Sequence, residues 1–207
     1  MKYYLLVFAI CFGVSVFGQV EKGFFRVTSD DDEVGHLTAN KKIDGEVTTY
    51  EISSEVTVRV VFKLRMTNEI QAVFKEGVLI YSSATLYLND KVYSDTRIEK
   101  KQGFYTVIKD GHETKIFQSA IRSSSAKLYW QQPISESVSL SETEGEMKDL
   151  DIQGFQKYAL TADGSERSVS TYIYSETQGL SRINVVRPWV PELEIFRVNK
   201  RSDLGIE

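Results

Sequence analysis

Thiols, imidazoles and prolines are close to absent from this sequence, which has one cysteine, two histidines and three prolines in 207 residues. The cysteine, Cys11, sits inside an apolar N-terminal run, so the chain beyond it can build neither a disulfide framework nor a thiolate metal cluster. Stability must come from a core instead, and a chain of this length buries most of its apolar surface without covalent staples. His36 follows Gly35 and His112 follows Asp110-Gly111, so both read as strand-end residues, which leaves imidazole-based zinc and nucleophile chemistry without support. Ser123-Ser124-Ser125 lacks the Gly-x-Ser-x-Gly frame of an activated serine. A glycine-rich phosphate loop is missing as well. From the sequence we assign no catalytic residue, no metal ligand and no cofactor.

An excess of positive charge is also lacking. Lys and Arg number 25 against 29 Asp and Glu, a formal net charge of −4, and Lys41-Lys42 and Lys100-Lys101 are isolated pairs. Neither a nucleic acid nor an anionic membrane surface is expected as a partner.

What is present begins with the leader. Lys2 precedes an uncharged apolar run from Tyr3 to Phe17, followed by Gly18 and then by polar Gln19 and Glu21, the pattern of a signal peptide. Gly13 and Ser15 interrupt the run, which falls short of the roughly 20 apolar residues of a membrane span. Residues 1–18 are therefore expected to be a signal peptide and residues 19–207 a single antiparallel β domain, secreted or periplasmic, with no transmembrane helix after processing. Val16, three places before the bond after Gly18, is tolerable there, so cleavage can slip by a residue or two. Acylation at Cys11 is disfavoured, because Phe8-Ala9-Ile10 lacks the Leu and small residues of that processing site and Cys11 comes too early in the run.

Period two dominates the rest. Val56, Val58, Val60, Phe62, Leu64 and Met66 alternate with Thr57, Arg59, Val61, Lys63 and Arg65, the signature of a strand with one buried and one wet face. Burial is expected for the even positions from Val56 to Leu64, and solvent for Arg59, Lys63 and Arg65. Tyr50 and Ile52 share the even parity, so Val47 to Met66 reads as one very long strand bent near Ser53-Ser54, which implies a curved sheet. Asp44-Gly45, Asp110-Gly111 and Asp163-Gly164 separate β-rich runs, and Asn89-Asp90 and Glu76-Gly77 punctuate the chain in the same way. The fold class expected is all-β: a single curved antiparallel sheet or half-open barrel, a meander of hairpins with at most one or two short helices. The helix candidate is capped by Ser123-Ser124-Ser125 and runs from Ala126 to Trp130, stopping before Pro133, although Leu128 to Trp130 reads almost as well as a strand.

Several pieces of the chain carry a resemblance. They are Lys127-Leu128-Tyr129-Trp130-Gln131-Gln132-Pro133, Leu140-Ser141-Glu142 with Gly145, Tyr158-Ala159-Leu160 with Asp163-Gly164, and Tyr172-Ile173-Tyr174 with Gly179-Leu180, joined in the first half by Val34-Gly35 and Glu76-Gly77-Val78-Leu79. Together they resemble an uncharacterised domain-of-unknown-function family of secreted, mostly β proteins from Bacteroidetes-type bacteria. Trp130 stands where that pattern has Phe, and Pro188-Trp189-Val190-Pro191 departs from it. The resemblance implies a secreted, largely antiparallel β-protein, a half-open barrel, and brings no activity or catalytic residue with it.

Acidic clusters are the next candidates. Asp30-Asp31-Asp32-Glu33 lacks the alternating ligands, mid-loop Gly and closing Glu of a calcium loop and reads as a solvated loop between the first two strands. Glu142, Glu144 and Glu146 alternate and read as wet-face charges. With 29 acids, pairs at glycosidase spacing arise by chance and mean something only in a cleft. The aromatics remain: Tyr81, Tyr87, Tyr93, Tyr105, Tyr129, Trp130, Tyr172, Tyr174 and Trp189 make a Tyr-rich sheet whose half-exposed rings can stack on sugars or line an apolar groove. Trp189, with a proline on either side, fits poorly into a central strand.

Tyr129, Trp130 and Trp189 are accordingly the ligand-binding candidates of a non-enzymatic envelope protein that takes an apolar or glycan-like ligand, or another envelope component, on its concave face. A carboxylate-dependent, glycosidase-like hydrolase and a scaffold module without a small ligand are the alternatives, and the oligomeric state is not encoded in any feature of the sequence. The mature chain is expected to begin within about two residues of Gln19. N-terminal sequencing of protein from the producing cell checks this, and a chain that starts at Met1 or at an acylated Cys11 contradicts it.

Overall fold

The computed structural model describes residues 19–59, 62–116, 118, 120–162, 165–176, 179–188 and 190–204. The first half is a meander of eight strands: β1 (Gln19–Ser29), β2 (Asp32–Asp44), β3 (Val47–Arg59), β4 (Lys63–Lys75), β5 (Val78–Leu88), β6 (Lys91–Lys100), β7 (Tyr105–Lys109) and β8 (His112–Ile116). After one turn of helix, α1 (Ser125–Leu128), a second meander follows through β9 (Val138–Ser141), β10 (Glu146–Gly154), β11 (Lys157–Ala162), β12 (Ser165–Ser175), β13 (Gly179–Arg187) and β14 (Val190–Val198), and the described chain ends in a 3₁₀ turn at Arg201–Leu204. The two meanders become one sheet because the first strand pairs antiparallel with the last, Phe24 opposite Val198 and Thr28 opposite Glu194. The order is β8-β7-β6-β5-β4-β3-β2-β1-β14-β13-β12-β11-β10-β9, fourteen strands with β8 and β9 as free edges. The fold is thus all-β and antiparallel, curled but not closed, with almost no helix among the described residues.

The turns explain why the chain reverses where it does. Asp30-Asp31, Glu76-Gly77, Asn89-Asp90 and Asp110-Gly111 each place two successive residues at positive φ, between 48° and 83°. That is the backbone of the two-residue hairpin whose twist matches the flanking strands, and Asn, Asp and Gly tolerate it best. The acidic run at residues 30–33 is therefore a hairpin turn and the start of β2. Asp163-Gly164 lies outside the described residues.

Two expectations are corrected. Val47 to Met66 is not one strand bent at Ser53-Ser54. It is a hairpin whose strands pair from Val47 opposite Lys75 to Arg59 opposite Lys63, with no irregularity at Ser53-Ser54. The connection of residues 60–62 holds Phe62, which is 66% exposed, while Val56 and Val58 are buried, Leu64 is half-buried, and Arg59, Lys63 and Arg65 face solvent. Val60 lies outside the described residues. His36 is not a strand-end residue either, since it sits within β2 between Arg26 of β1 and Glu55 of β3, whereas His112 does open β8.

Register shifts between Val73 and Phe74, Leu86 and Tyr87, Ile173 and Tyr174, and Val185 and Arg187 bend individual strands, which lets a sheet this wide curl onto itself. Its concave face collects Phe25, Ile52, Phe74, Ile98, Tyr105, Leu160 and Ile183 in one core. The segment between the two meanders fills that concavity. It enters where the Tyr105 hydroxyl accepts from the Ile121 amide (3.0 Å) and donates to the Leu79 carbonyl (2.9 Å), while the Leu79 amide donates to the Ile121 carbonyl (2.9 Å). Ile121, Ala126, Leu128 and Tyr129 are buried, with Tyr129 edge-on to Phe25 at 5.4 Å and the Tyr174 hydroxyl donating to the Leu128 carbonyl at 2.7 Å. Among the described residues no helix is long and apolar enough to cross a membrane.

One close approach inside the sheet is testable. A Cβ on Gly35 would stand 2.0 Å from the Glu55 carbonyl oxygen and 2.7 Å from the Val56 Cα, backbone atoms of the neighbouring strand that cannot turn aside. Gly35→Ala should lower the urea-unfolding free energy by about 3 kcal/mol or more, whereas Gly45→Ala, in a turn with open space around it, should cost only about 1 kcal/mol.

Candidate binding site

The inner segment does not fill the sheet completely. Above α1, toward the end that carries the β1–β2, β3–β4 and β5–β6 turns, a cavity of about 220 Å³ remains. Its floor is Tyr129 with Ser125, and its two walls differ in character because they come from different meanders. Strands β1 to β5 contribute Val27, Leu37, Ile52, Val56, Met66 and Leu86, an apolar wall whose polar members are Ser54 and Asn68. From β9 to β13 come Ser141, Lys148, Ser170, Tyr172 and Arg187, interleaved with Leu160, Ile183 and Val185.

The floor is held by a carboxylate. Glu142, in the turn after β9, is fully buried, and its oxygens accept from the backbone amides of Ser125 and Ala126 (3.1 Å each) and from the Ser125 hydroxyl. The next amide of the helix, on Lys127, is taken by the side chain of the capping residue Ser124. These contacts satisfy the amides that an α-helix leaves open at its start. Ser123 continues the attachment, its carbonyl accepting from the Leu140 amide (3.0 Å) and its hydroxyl bonding that of Ser139 (2.9 Å). Burial pushes the Glu142 carboxyl above its ordinary range, and the donors from Ser125, Ser124 and Ala126 pull it back in part.

This corrects the wet-face reading of the three alternating acids. Only Glu146 is exposed. Glu144 is half-buried and pairs with Lys148, itself 3% exposed. The turn that carries Glu142 and Glu144 is pressed onto the opposite meander: the Thr96 hydroxyl and the Lys109 ammonium donate to the carbonyls of Thr143 and Glu144 (3.2 Å each). A Cβ on Gly145 would meet Val107 at 2.7 Å, so glycine is what admits this contact. The gap between the two sheet edges is spanned here by side chains instead of a strand ladder.

Arg187 is the most directed polar group of the wall. Its Nη1 donates to the carbonyls of Val169 (3.2 Å) and Val186 (2.8 Å), and its Nη2 to the Ser170 hydroxyl (3.1 Å). Among the described residues no carboxylate forms an ion pair with it. Burial raises the Tyr172 hydroxyl well above its ordinary pKa, aided by Glu142 and opposed by Arg187, and it raises Tyr129 likewise. Such phenols stay protonated and act as hydrogen-bond groups, so the chemistry this wall offers is recognition of polarity and charge.

Of the three aromatic candidates, Tyr129 lines the cavity. Trp130 packs against the core from outside the lining, its ring 5.9 Å from the Arg197 guanidinium and its Cη2 3.6 Å from where a Cβ on Gly23 would stand. Trp189 lies outside the described residues. Sequence reasoning missed Arg187, Ser170, Lys148 and Glu142. Glu142, Lys148 and Ser170 left a signal, because they share the parity of the buried Leu140, Leu150 and Tyr172 and so continue inward-facing registers. No group of three or more His, Cys, Asp or Glu able to hold a metal ion occurs among the described residues.

Comparison with known proteins agrees with the architecture. Residues 25–186 match the family model described as "Domain of unknown function (DUF6134)". The crystal structure of a β-barrel-like protein of the domain of unknown function DUF1849 from Brucella abortus is similar in fold, with a TM-score of 0.56 over 86% of this chain and 95% of that one at 7% sequence identity. No curated protein matches the sequence.

The Glu142 contacts carry a signed prediction. Its folded pKa lies above the ordinary carboxylate value, so the folded state binds the extra proton more readily, and stability should fall as pH rises from the ordinary value through the raised one. Urea unfolding across that range should show this slope in the native protein and lose it in Glu142→Gln. Glu142→Ala, which strands buried amides, should cost about 3 kcal/mol.

Proposed function

We propose that this chain, which belongs to the DUF6134 domain-of-unknown-function family, is an exported envelope protein without enzymatic activity that holds one small apolar or amphipathic molecule inside its curled sheet. The observation that carries this reading is the partly open cavity of about 220 Å³ between two unlike walls. An apolar concavity with a few convergent polar groups is the usual form of a small-molecule site. A cavity with one wall of Val, Leu, Ile and Met suits an apolar body better than a sugar, whose many hydroxyls would need partners on that side. The glycan-like alternative therefore recedes, and so does the glycosidase-like one, since Glu142, the buried carboxylate behind the floor, is engaged by the start of α1. The periplasmic or extracellular setting is supported by the apolar run from Tyr3 to Phe17 and the polar break after Gly18.

A neutral probe separates a cavity that binds from one that is merely left over. 1-Octanol should bind the purified protein with one-to-one stoichiometry in isothermal titration. Val56→Trp, which places an indole in the chamber, should weaken it by about tenfold or more while the thermal midpoint of unfolding stays near that of the parent. Absence of binding to the native protein, or unchanged binding by a folded Val56→Trp protein, contradicts the reading.

A further inference from the structure

The charged groups in and around the cavity are not all paired with one another, and the way they are distributed narrows what it can hold. Glu142, which lies behind the floor and outside the lining, is held at α1, and Lys148 is matched by Glu144. Arg187 alone among the charged lining residues has no ionic partner among the described residues, yet its guanidinium is fixed in place by two carbonyls and a serine hydroxyl. Arg187 is half-buried, and a guanidinium already fixed by its neighbours loses little freedom on receiving an anion. Ser170 and Tyr172 stand beside it in the lining as hydroxyl groups. Opposite lies the mostly apolar wall of Val27, Leu37, Val56 and Met66, in which Ser54 and Asn68 are the polar members.

We infer that the ligand is an anionic amphiphile, a carboxylate on a short acyl chain, whose head meets Arg187 beside Ser170 and Tyr172 while its tail lies against the apolar wall of β1 to β5. The inference rests on the binding role proposed above and specifies its ligand class. Size bounds the tail. An apolar cavity of roughly 150 Å³ holds one benzene, so about 220 Å³ takes about nine non-hydrogen atoms, close to an eight-carbon acid. Hydroxyl groups stay protonated at this wall, as the raised Tyr172 phenol indicates, and are free to donate to a carboxylate.

The decisive measurement compares three ligands with one tail and different heads on the native protein: octanoate, 1-octanol and octylammonium at neutral pH. Octanoate should bind about tenfold to a hundredfold more tightly than 1-octanol, the range expected for charge-assisted hydrogen bonds, and octylammonium more weakly than either. Arg187→Gln should bring octanoate down to the level of 1-octanol and leave 1-octanol as it was, while Arg187→Lys, which keeps the charge but not the fork, should retain part of the preference. If 1-octanol binds and octanoate is no tighter, the anionic-head inference fails while the cavity reading stands. Should none of the three bind, the cavity reading itself has failed. The comparison of heads needs no variant, so it decides the question even if Arg187→Gln does not fold.

Discussion

The interior of this protein depends on one buried carboxylate. Fourteen strands that curl without closing leave a concavity too wide for side chains alone to fill. The chain fills it by passing its own inter-meander segment through, and that segment is polar at the start of α1, where amides would otherwise face a dry interior. Glu142 supplies the missing acceptors from the neighbouring turn after β9. With α1 docked, Tyr129 takes its place against Phe25, Tyr174 closes on the Leu128 carbonyl, and the remaining volume becomes a cavity with a floor. An aspartate one methylene shorter would not reach both amides from the same turn without moving the backbone that presses on Thr96 and Lys109.

How much of this the sequence discloses follows from the range of the interactions. Period-two patterning and turn dipeptides are local, and they identify an antiparallel meander with short hairpins, including the one-turn helix capped by the serines near residue 124. The hairpin between Arg59 and Lys63 escapes notice for a geometric reason. A three-residue connection returns the chain with its parity unchanged, so Val58 and Leu64 sit opposite each other and point to the same side, and the alternation runs on as if the strand had never turned. Val60-Val61-Phe62 contains no Gly, Asn, Asp or Pro to mark the reversal. Glu142 and Arg187 are hidden by distance, since their partners lie on segments that no local pattern connects to them, and an acid or a cation in an alternating strand reads as wet until the fold shows which face it is on.

The aromatic residues show the same division. Tyrosines abound, and their number suggests stacking surfaces, but three of the buried ones act through their hydroxyls as fasteners. Tyr105 bridges Leu79 to Ile121, Tyr158 accepts from Gln132, and Tyr174 holds the end of α1. A phenol combines a ring large enough to pack a wide interior with one polar atom at its tip, which suits a sheet that must both fill its concavity and hold a non-sheet segment inside it.

The pairing of β1 with β14 has a further consequence for how the chain reaches its native state. The contact that unites the two halves joins residues from opposite ends of the described chain, Phe24 with Val198, so the sheet has a high contact order at its very centre and its closing step must await the last strand to be made. Until then the first eight strands stand as a curved sheet with an unpaired edge at β1 and an empty concave face, the combination that invites edge-to-edge association between nascent chains. Residence in that half-built state, more than any weakness of the finished molecule, is where a holdase chaperone would find its substrate and where truncation of the C-terminal strand would do its damage.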